Sequence, residues 1–258
     1  MNKKNIWFGV IAIVLLMVLV AVGFFVFQTA APKQESTAEK SEITAVKQTI
    51  QMEDDISKID IEYPQITNVP KGINDAIQKI IDARVTEFKK IARENEQARI
   101  DTNKQLPISE QRPARPDAND YWYSLYVRYS TGIINAQKVS IVFFIDEYSG
   151  GAHGNKSFIS YNYDLVQNKE IKLADLFPNE PDYLQRISAY AYADIAKQMQ
   201  TNNPDMEVDL SWIKTGTEPQ LDNFSNFTIG ENSITLYIPP YQVAAYAYGD
   251  FQVTMPIK

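Results

Sequence analysis

The chain contains no cysteine. That one absence removes disulfides, thiolate metal sites, a cysteine nucleophile and the lipid-bearing cysteine of a lipoprotein anchor. Histidine is almost as scarce, because His153 is the only one. Zinc sites usually draw on several His or Cys ligands, so a metal centre here would have to lean on carboxylates, and none is expected. No phosphate-binding glycine loop or dinucleotide fingerprint occurs, so no cofactor is expected either. A serine triad would need His153, and no Gly-x-Ser-x-Gly lies near it. Positive charge is in deficit: 25 Lys and Arg against 32 Asp and Glu give a net −7. Nucleic-acid binding rests on clustered basic side chains, so this balance argues against it.

One long hydrophobic run is present. Residues 6–27 read IWFGVIAIVLLMVLVAVGFFVF without a charge or a proline. At 1.5 Å per residue, roughly 22 residues span about 33 Å, enough to cross a hydrocarbon layer of about 30 Å. A cleaved signal peptide is the alternative, but its apolar region is shorter. The best cut, after Ala31, would place Pro32 just beyond it. The expectation is an uncleaved single-pass anchor over residues 1–28, with Lys3 and Lys4 holding a short N-terminus in the cytoplasm. The remainder then faces outward. Setting aside Lys3 and Lys4 leaves that part at −9 against −7 for the whole chain. This favours solubility and cationic partners.

Residues 29–48 are rich in Ala, Ser, Thr, Lys and Glu and read as a linker. Residues 49–66 alternate as two short strands split near Asp54-Asp55, and Pro64 and Pro70 bracket an irregular connection. The acidic run Glu53-Asp54-Asp55 reads as a solvated turn. Ile73, Ile77, Ile80, Ile81, Val85, Phe88 and Ile91 recur mostly at three- and four-residue spacing, predicting a helix over 73–98. A proline-rich loop over 101–119 leads to strands at 121–130 and 133–148, joined as a hairpin at Thr131-Gly132. Further strands are predicted at 157–165, 224–229, 233–238 and 251–257. A helical turn covers 172–177, and a helix follows Asn179 as its cap, with Leu184, Ile187, Ala191, Ile195 and Met199 inward. Residues 211–223 read as loop. The fold class is therefore α+β: a transmembrane helix, then antiparallel sheets each packed with a helix. The domains are expected at 49–146 and 147–258.

Two loops carry possible function. Tyr148-Ser149-Gly150-Gly151-Ala152-His153-Gly154 places three glycines within five residues, which frees the backbone for close approach by a ligand. With Asp146 and Glu147 beside it, His153 invites an acid–base reading, which requires hydrogen-bond reach that sequence cannot supply. A surface hydrogen-bonding role is the plainer reading. The second loop is Pro239-Pro240-Tyr241. Tyrosine held on a rigid loop suits a binding surface, but the prolines could equally end a strand while Tyr241 packs inward. For Tyr246 and Tyr248, packing within the domain is the expectation.

Taken together, the glycine loop, the Tyr-x-Tyr-Asp-Leu stretch at 161–165, the segment at 171–177 and Ile238-Pro239-Pro240-Tyr241-Gln242-Val243 resemble a known domain of unknown function. That domain forms the C-terminus of the lysozyme-responsive anti-sigma factor RsiV and lies beside the N-terminal domain of the peptidoglycan deacetylase PdaC. Residues from about 50 to 146 are similar to the PdaC-type companion domain. The resemblance implies an extracytoplasmic binding module, with Ser149, Pro239 and Tyr241 as carried-over contact candidates. It does not carry catalysis, because the metal-binding histidines of the deacetylase domain have no counterpart. Five residues before the apolar run also cannot hold a sigma-binding domain. The expectation is a membrane-anchored, extracytoplasmic binding or sensing protein of the bacterial cell envelope, without catalytic residues. Its ligand would be a cell-wall glycan or a lysozyme-like enzyme, met by Ser149, Gly150, Gly151, His153, Pro239 and Tyr241. The rival expectation is an envelope glycan hydrolase using His153 with Asp146 or Glu147.

Overall fold

A computed structural model describes residues 42–111, 123–202 and 208–257. The apolar run at 6–27 lies outside the described residues. Among those described, no helix is long and apolar enough to cross a membrane. The architecture is mixed α+β, with a six-stranded and a three-stranded sheet.

The first sheet is ordered β1 to β6 in chain order. Strands β1 (Ala45–Glu53) and β2 (Ser57–Ile66) pair antiparallel. Asp54 makes the turn between them: its carboxylate accepts from the Ile56 and Ser57 amides at 3.0 and 2.7 Å and from the Ser57 hydroxyl at 2.9 Å. Residues 45–48, read as linker, belong to β1. β2 also runs through Pro64, which was expected in an irregular connection. It does so because pairing with β3 ends at Ile61, so the missing N–H of Pro64 leaves no ladder bond unmade.

Helix α1 (Lys71–Gln105) runs seven residues past its expected end. Its last turns hold no apolar periodicity but nothing breaks them before Pro107, and the Arg99–Glu96 pair at 2.9 Å and the Gln97–Asp101 bond at 2.9 Å stitch them. Ile73, Ile77, Ile81, Phe88 and Ala92 are buried against Ile59, Ile61, Leu125, Val127, Ile141 and Phe143 of the sheet. Each large side chain so buried contributes about 1.5–3 kcal/mol. The long helix also carries the chain back before β3 (Tyr123–Ile134), so β2 and β3 pair parallel. The expectation of a wholly antiparallel sheet is corrected there.

The β3–β4 turn is not at Thr131-Gly132. It falls at Asn135, whose side-chain oxygen accepts from the Gln137 and Lys138 amides at 2.8 and 3.0 Å, and β4 is Lys138–Tyr148. Gly132 sits instead where the β3–β4 register shifts. A Cβ added there would stand 2.4 Å from the Ile229 carbonyl oxygen, so this glycine allows the second sheet to approach. Strands β5 (Asn155–Asp164) and β6 (Lys169–Glu170) complete the first sheet.

A short helical turn, Leu173–Leu176, leads to helix α2 (Tyr183–Asn202), which starts beyond Asn179, so that residue is not its cap. Ile187, Ala191, Ile195 and Met199 of α2 pack on the second sheet, β7 (Phe227–Ile229), β8 (Ser233–Ile238) and β9 (Phe251–Pro256). The segment 211–223 is not loop throughout. It holds helix α3 (Leu210–Gly216), capped by Asp209, whose carboxylate accepts from the Ser211 and Trp212 amides, and most of a turn at Leu221–Phe224.

The two sheets meet through a buried polar bridge. Ser140 donates to the Asn162 side chain at 2.6 Å and accepts from the Ile229 amide at 2.8 Å. Asn162 in turn donates to the Phe227 carbonyl at 2.8 Å. Val142, Phe158 and Tyr237 form an apolar cluster beside this bridge. The first sheet thus packs α1 on one face, while its strands β3 to β5 meet the second sheet on the other.

Candidate functional site

The glycine loop follows β4, which positions it, and Gly150 and Gly151 hold φ values of +105° and +108°. One side of the loop faces the last turns of α1. There the Asn95 side chain donates to the Ser149 carbonyl at 2.6 Å. A cavity of about 730 Å³ lies between them, lined by Asn95, Arg99, Asn103, Tyr123, Tyr148 and Gly150 among others. That size falls in the range of small-molecule sites.

The other side of the loop presents His153 to the proline loop. The imidazole Nε2 lies 2.9 Å from the Tyr241 hydroxyl, and Nδ1 lies 2.8 Å from the Gly154 carbonyl oxygen. A carbonyl only accepts, so Nδ1 carries the proton. In the neutral ring Nε2 then accepts from Tyr241. Tyr246 stacks on the same imidazole at 3.9 Å between centroids and 15° between planes. Tyr246 was expected to pack inside the domain; instead it is half-buried and forms the floor under His153. Tyr248 does pack against the second core.

Tyr241 is 51% exposed and has φ +70°. A non-glycine residue in the left-handed region costs free energy and persists only where its surroundings hold it. Three side-chain hydrogen bonds and one close backbone approach do so. The Trp212 indole donates to the Tyr241 carbonyl at 3.2 Å. The Gln242 side chain donates to the carbonyls of Gly216 and Asn223 at 2.8 and 3.0 Å. A Cβ on Gly216 would stand 2.0 Å from the Gln242 carbonyl oxygen, so α3 and the proline loop meet backbone to backbone. Helix α3 was invisible to sequence reading, and with it Trp212, 38% exposed beside Tyr241. The one signal for it was Asp209 ahead of Ser211 and Trp212, an N-cap pattern.

The acid–base arrangement is not assembled. Glu147 is buried and ion-paired to Arg84 across the sheet–helix interface. Both ring nitrogens of His153 are taken by Gly154 and Tyr241, and neither Asp146 nor Glu147 is hydrogen-bonded to them. Asp146 lies instead near Gly154, whose added Cβ would stand 3.1 Å from its carboxylate. Of the six candidate residues, His153 and Tyr241 are thus in direct contact. Ser149, Gly150 and Gly151 line the cavity on the other side of the same loop, and Pro239 precedes Tyr241, its carbonyl accepting from the Gln242 amide at 3.3 Å.

Comparison with known proteins divides the chain in two. Residues 50–156 match the family described as deacetylase PdaC, and residues 174–258 match a family of proteins of unknown function, DUF3298. The peptidoglycan-N-acetylmuramic acid deacetylase PdaC of Bacillus subtilis (strain 168) is 29% identical over 195 residues, which is 76% of this chain and 36% of that protein. The chain therefore spans about a third of the length of this relative. Two solved structures share the fold. A DUF3298 family member from Bacteroides fragilis NCTC 9343 is 16% identical with a TM-score of 0.53, covering 83% of this chain and 90% of that one. A second from Pseudomonas aeruginosa PAO1 is 16% identical with a TM-score of 0.51, covering 83% and 89%.

Proposed function

The chain carries a PdaC-type domain followed by a DUF3298 domain, and from this pairing we propose that it is an extracytoplasmic binding or sensing protein of the bacterial cell envelope. Residues 6–27 anchor it in the membrane, the five residues before them face the cytoplasm, and both domains face outward. Its ligand is a cell-wall glycan or a lysozyme-like enzyme. It performs no catalysis of its own.

The observation that carries this reading is the junction of the two loops. Tyr241 is exposed, backbone-strained and buttressed from below, and His153 reaches it from a glycine loop 88 residues away. Strain held in place by several supports is a feature of recognition sites. The exposed Tyr241, with an imidazole stacked on the half-buried Tyr246 and a tryptophan nearby, offers rigid ring faces and a hydroxyl, a chemistry suited to sugar rings as well as to protein surfaces. The name of the Bacillus relative points to peptidoglycan as the setting. The net negative charge would steer a cationic wall enzyme toward it. The occupied ring nitrogens of His153 and the ion-paired Glu147 speak for binding over hydrolysis.

The test is a calorimetric titration of soluble residues 33–258, at low salt, with lysozyme and separately with muropeptides. Binding to either supports the proposal. Absence of binding to both overturns it.

A further inference from the structure

The two sheets have four outer edges, and three of them are blunted. β6 is two residues long, too short to template a strand. β7 ends against the first sheet, where Asn162 and Ser140 take up the Phe227 carbonyl and the Ile229 amide. β9 is covered by α2, whose Gln198 and Arg186 side chains donate to the Gln252 and Pro256 carbonyls at 3.0 and 3.3 Å. The fourth edge, β1, has nine residues in unbroken register with β2, with neither bulge nor proline, and among the described residues β2 is its only strand neighbour.

The direction of its free groups can be worked out. The Thr67 amide donates to the Thr44 carbonyl at one end, and the Asp54 amide to the Ser57 carbonyl at the other. In an antiparallel ladder such pairs alternate, so even-numbered residues of β1 bond β2. The amides and carbonyls of Ala45, Lys47, Thr49, Gln51 and Glu53 therefore point outward.

We propose that β1 pairs antiparallel with β1 of a second copy of this chain, about a two-fold axis at Ile50. This register keeps outward groups opposite outward groups. It sets Lys47 opposite Glu53 of the second copy in both halves, and Thr49 opposite Gln51. Registers that set Lys47 against Lys47, or Glu53 against Glu53, oppose like charges across the strands, which is destabilising. The same axis brings together the apolar side chains that α1 leaves uncovered at the edge. Val46 is 47% exposed and Met52 is 39% exposed, on the face shared with Ile50. A two-fold axis perpendicular to the sheet puts both copies of that face on one side. Residues of the recognition loops take no part, so the proposal stands apart from the function proposed above.

Because the chain has no cysteine, one engineered thiol reports on the geometry. Residue 50 would face its own copy as a non-hydrogen-bonded pair, with Cα atoms about 4.5 Å apart, within disulfide range. The full chain in detergent carrying Ile50→Cys should cross-link into a dimer on mild oxidation, while Val46→Cys, which faces position 54, should not. Thr49→Pro removes an outward N–H and leaves the ladder to β2 intact. Sedimentation should then show a dimer for the unsubstituted chain at about 100 μM, a concentration that populates even weak interfaces, and a monomer for Thr49→Pro. A monomeric unsubstituted chain, a dimer that survives Thr49→Pro, or equal cross-linking through positions 46 and 50 would overturn the proposal.

Discussion

His153 and Tyr241 are 88 residues apart in sequence and joined by a 2.9 Å hydrogen bond between Nε2 and the phenolic oxygen. This bond links the glycine loop after β4 to the proline loop after β8, and so links the two sheets at the surface. Both groups are exposed, so the bond contributes little to stability. Tyr241→Phe should change unfolding free energy by less than about 1 kcal/mol in urea. Tyr241→Ala should weaken ligand binding at least about tenfold, because a rigid exposed aromatic is the kind of residue that dominates an interface. A loss of several kcal/mol of stability without loss of affinity would reassign the tyrosine to the fold.

Gly216 is where α3 touches the proline loop, and Gly132 is where the second sheet touches the first. An added methyl would meet carbonyl oxygens, 2.0 Å from Gln242 and 2.4 Å from Ile229 respectively. Neither obstacle is a flexible side chain. Each Gly→Ala substitution should therefore cost about 1–3 kcal/mol or more, read as a lower urea midpoint at unchanged slope. Gly216→Ala should in addition weaken ligand binding, because it displaces the support of Tyr241. Gly132→Ala should leave affinity intact in the fraction that folds.

The Arg84–Glu147 pair joins α1 to β4 with Glu147 buried. Arg84→Leu alone should destabilise the protein by about 3–5 kcal/mol, since it strands a buried carboxylate. Adding Glu147→Leu should recover most of that loss. If the pair instead served hydrolysis, Glu147→Leu would abolish turnover of wall fragments that the unsubstituted chain carries out; the binding reading predicts no turnover in either.

Stability should fall at both ends of the pH scale for identifiable reasons. Burial above all, with the neighbouring Tyr163 and Glu170, pushes the Tyr161 hydroxyl up to about 12. An unfolded tyrosine ionises near 10. The folded state holds the proton more tightly, so this contribution is intact below about 10 and is lost as pH rises from there toward 12. Tyr161→Phe should flatten that alkaline decline in chemical denaturation. At the acid end, the Ser211 hydroxyl and the Trp212 and Ser211 amides hold the Asp209 carboxyl below its ordinary value of 3.8. Its cap on α3 is complete above that value and weakens as pH falls through the lower folded one. Asp209→Asn should therefore be less sensitive to acid.

Much of the fold was legible where periodicity is strong. The isoleucine spacing of α1, the alternation of β2, β8 and β9, and the inward face of α2 follow from the residues alone. What could not be read depended on contacts distant in sequence. Gly132 looks like a turn residue until Ile229 arrives against it. α3 is only seven residues long, and its reason for being helical is the surface it packs on. The parallel β2–β3 pairing is a consequence of the length of α1, which runs on through residues with no apolar pattern. For the site, the two loops were linked in sequence only through the family resemblance, and the direct contact of His153 with Tyr241 came from the structure. Tyr246 and Trp212 were not visible, because stacking and buttressing leave no local signature.

The sole histidine stands at the centre of the proposed surface, and this makes the central claim directly measurable. With residues 33–258 isotopically labelled, the imidazole gives a single set of ring resonances free of overlap. Saturating unlabelled muropeptide or lysozyme should shift or broaden those resonances, and Tyr241→Ala should reduce the response. Ring resonances that stay unchanged while calorimetry shows the ligand bound would contradict the account, because binding would then lie elsewhere on the molecule.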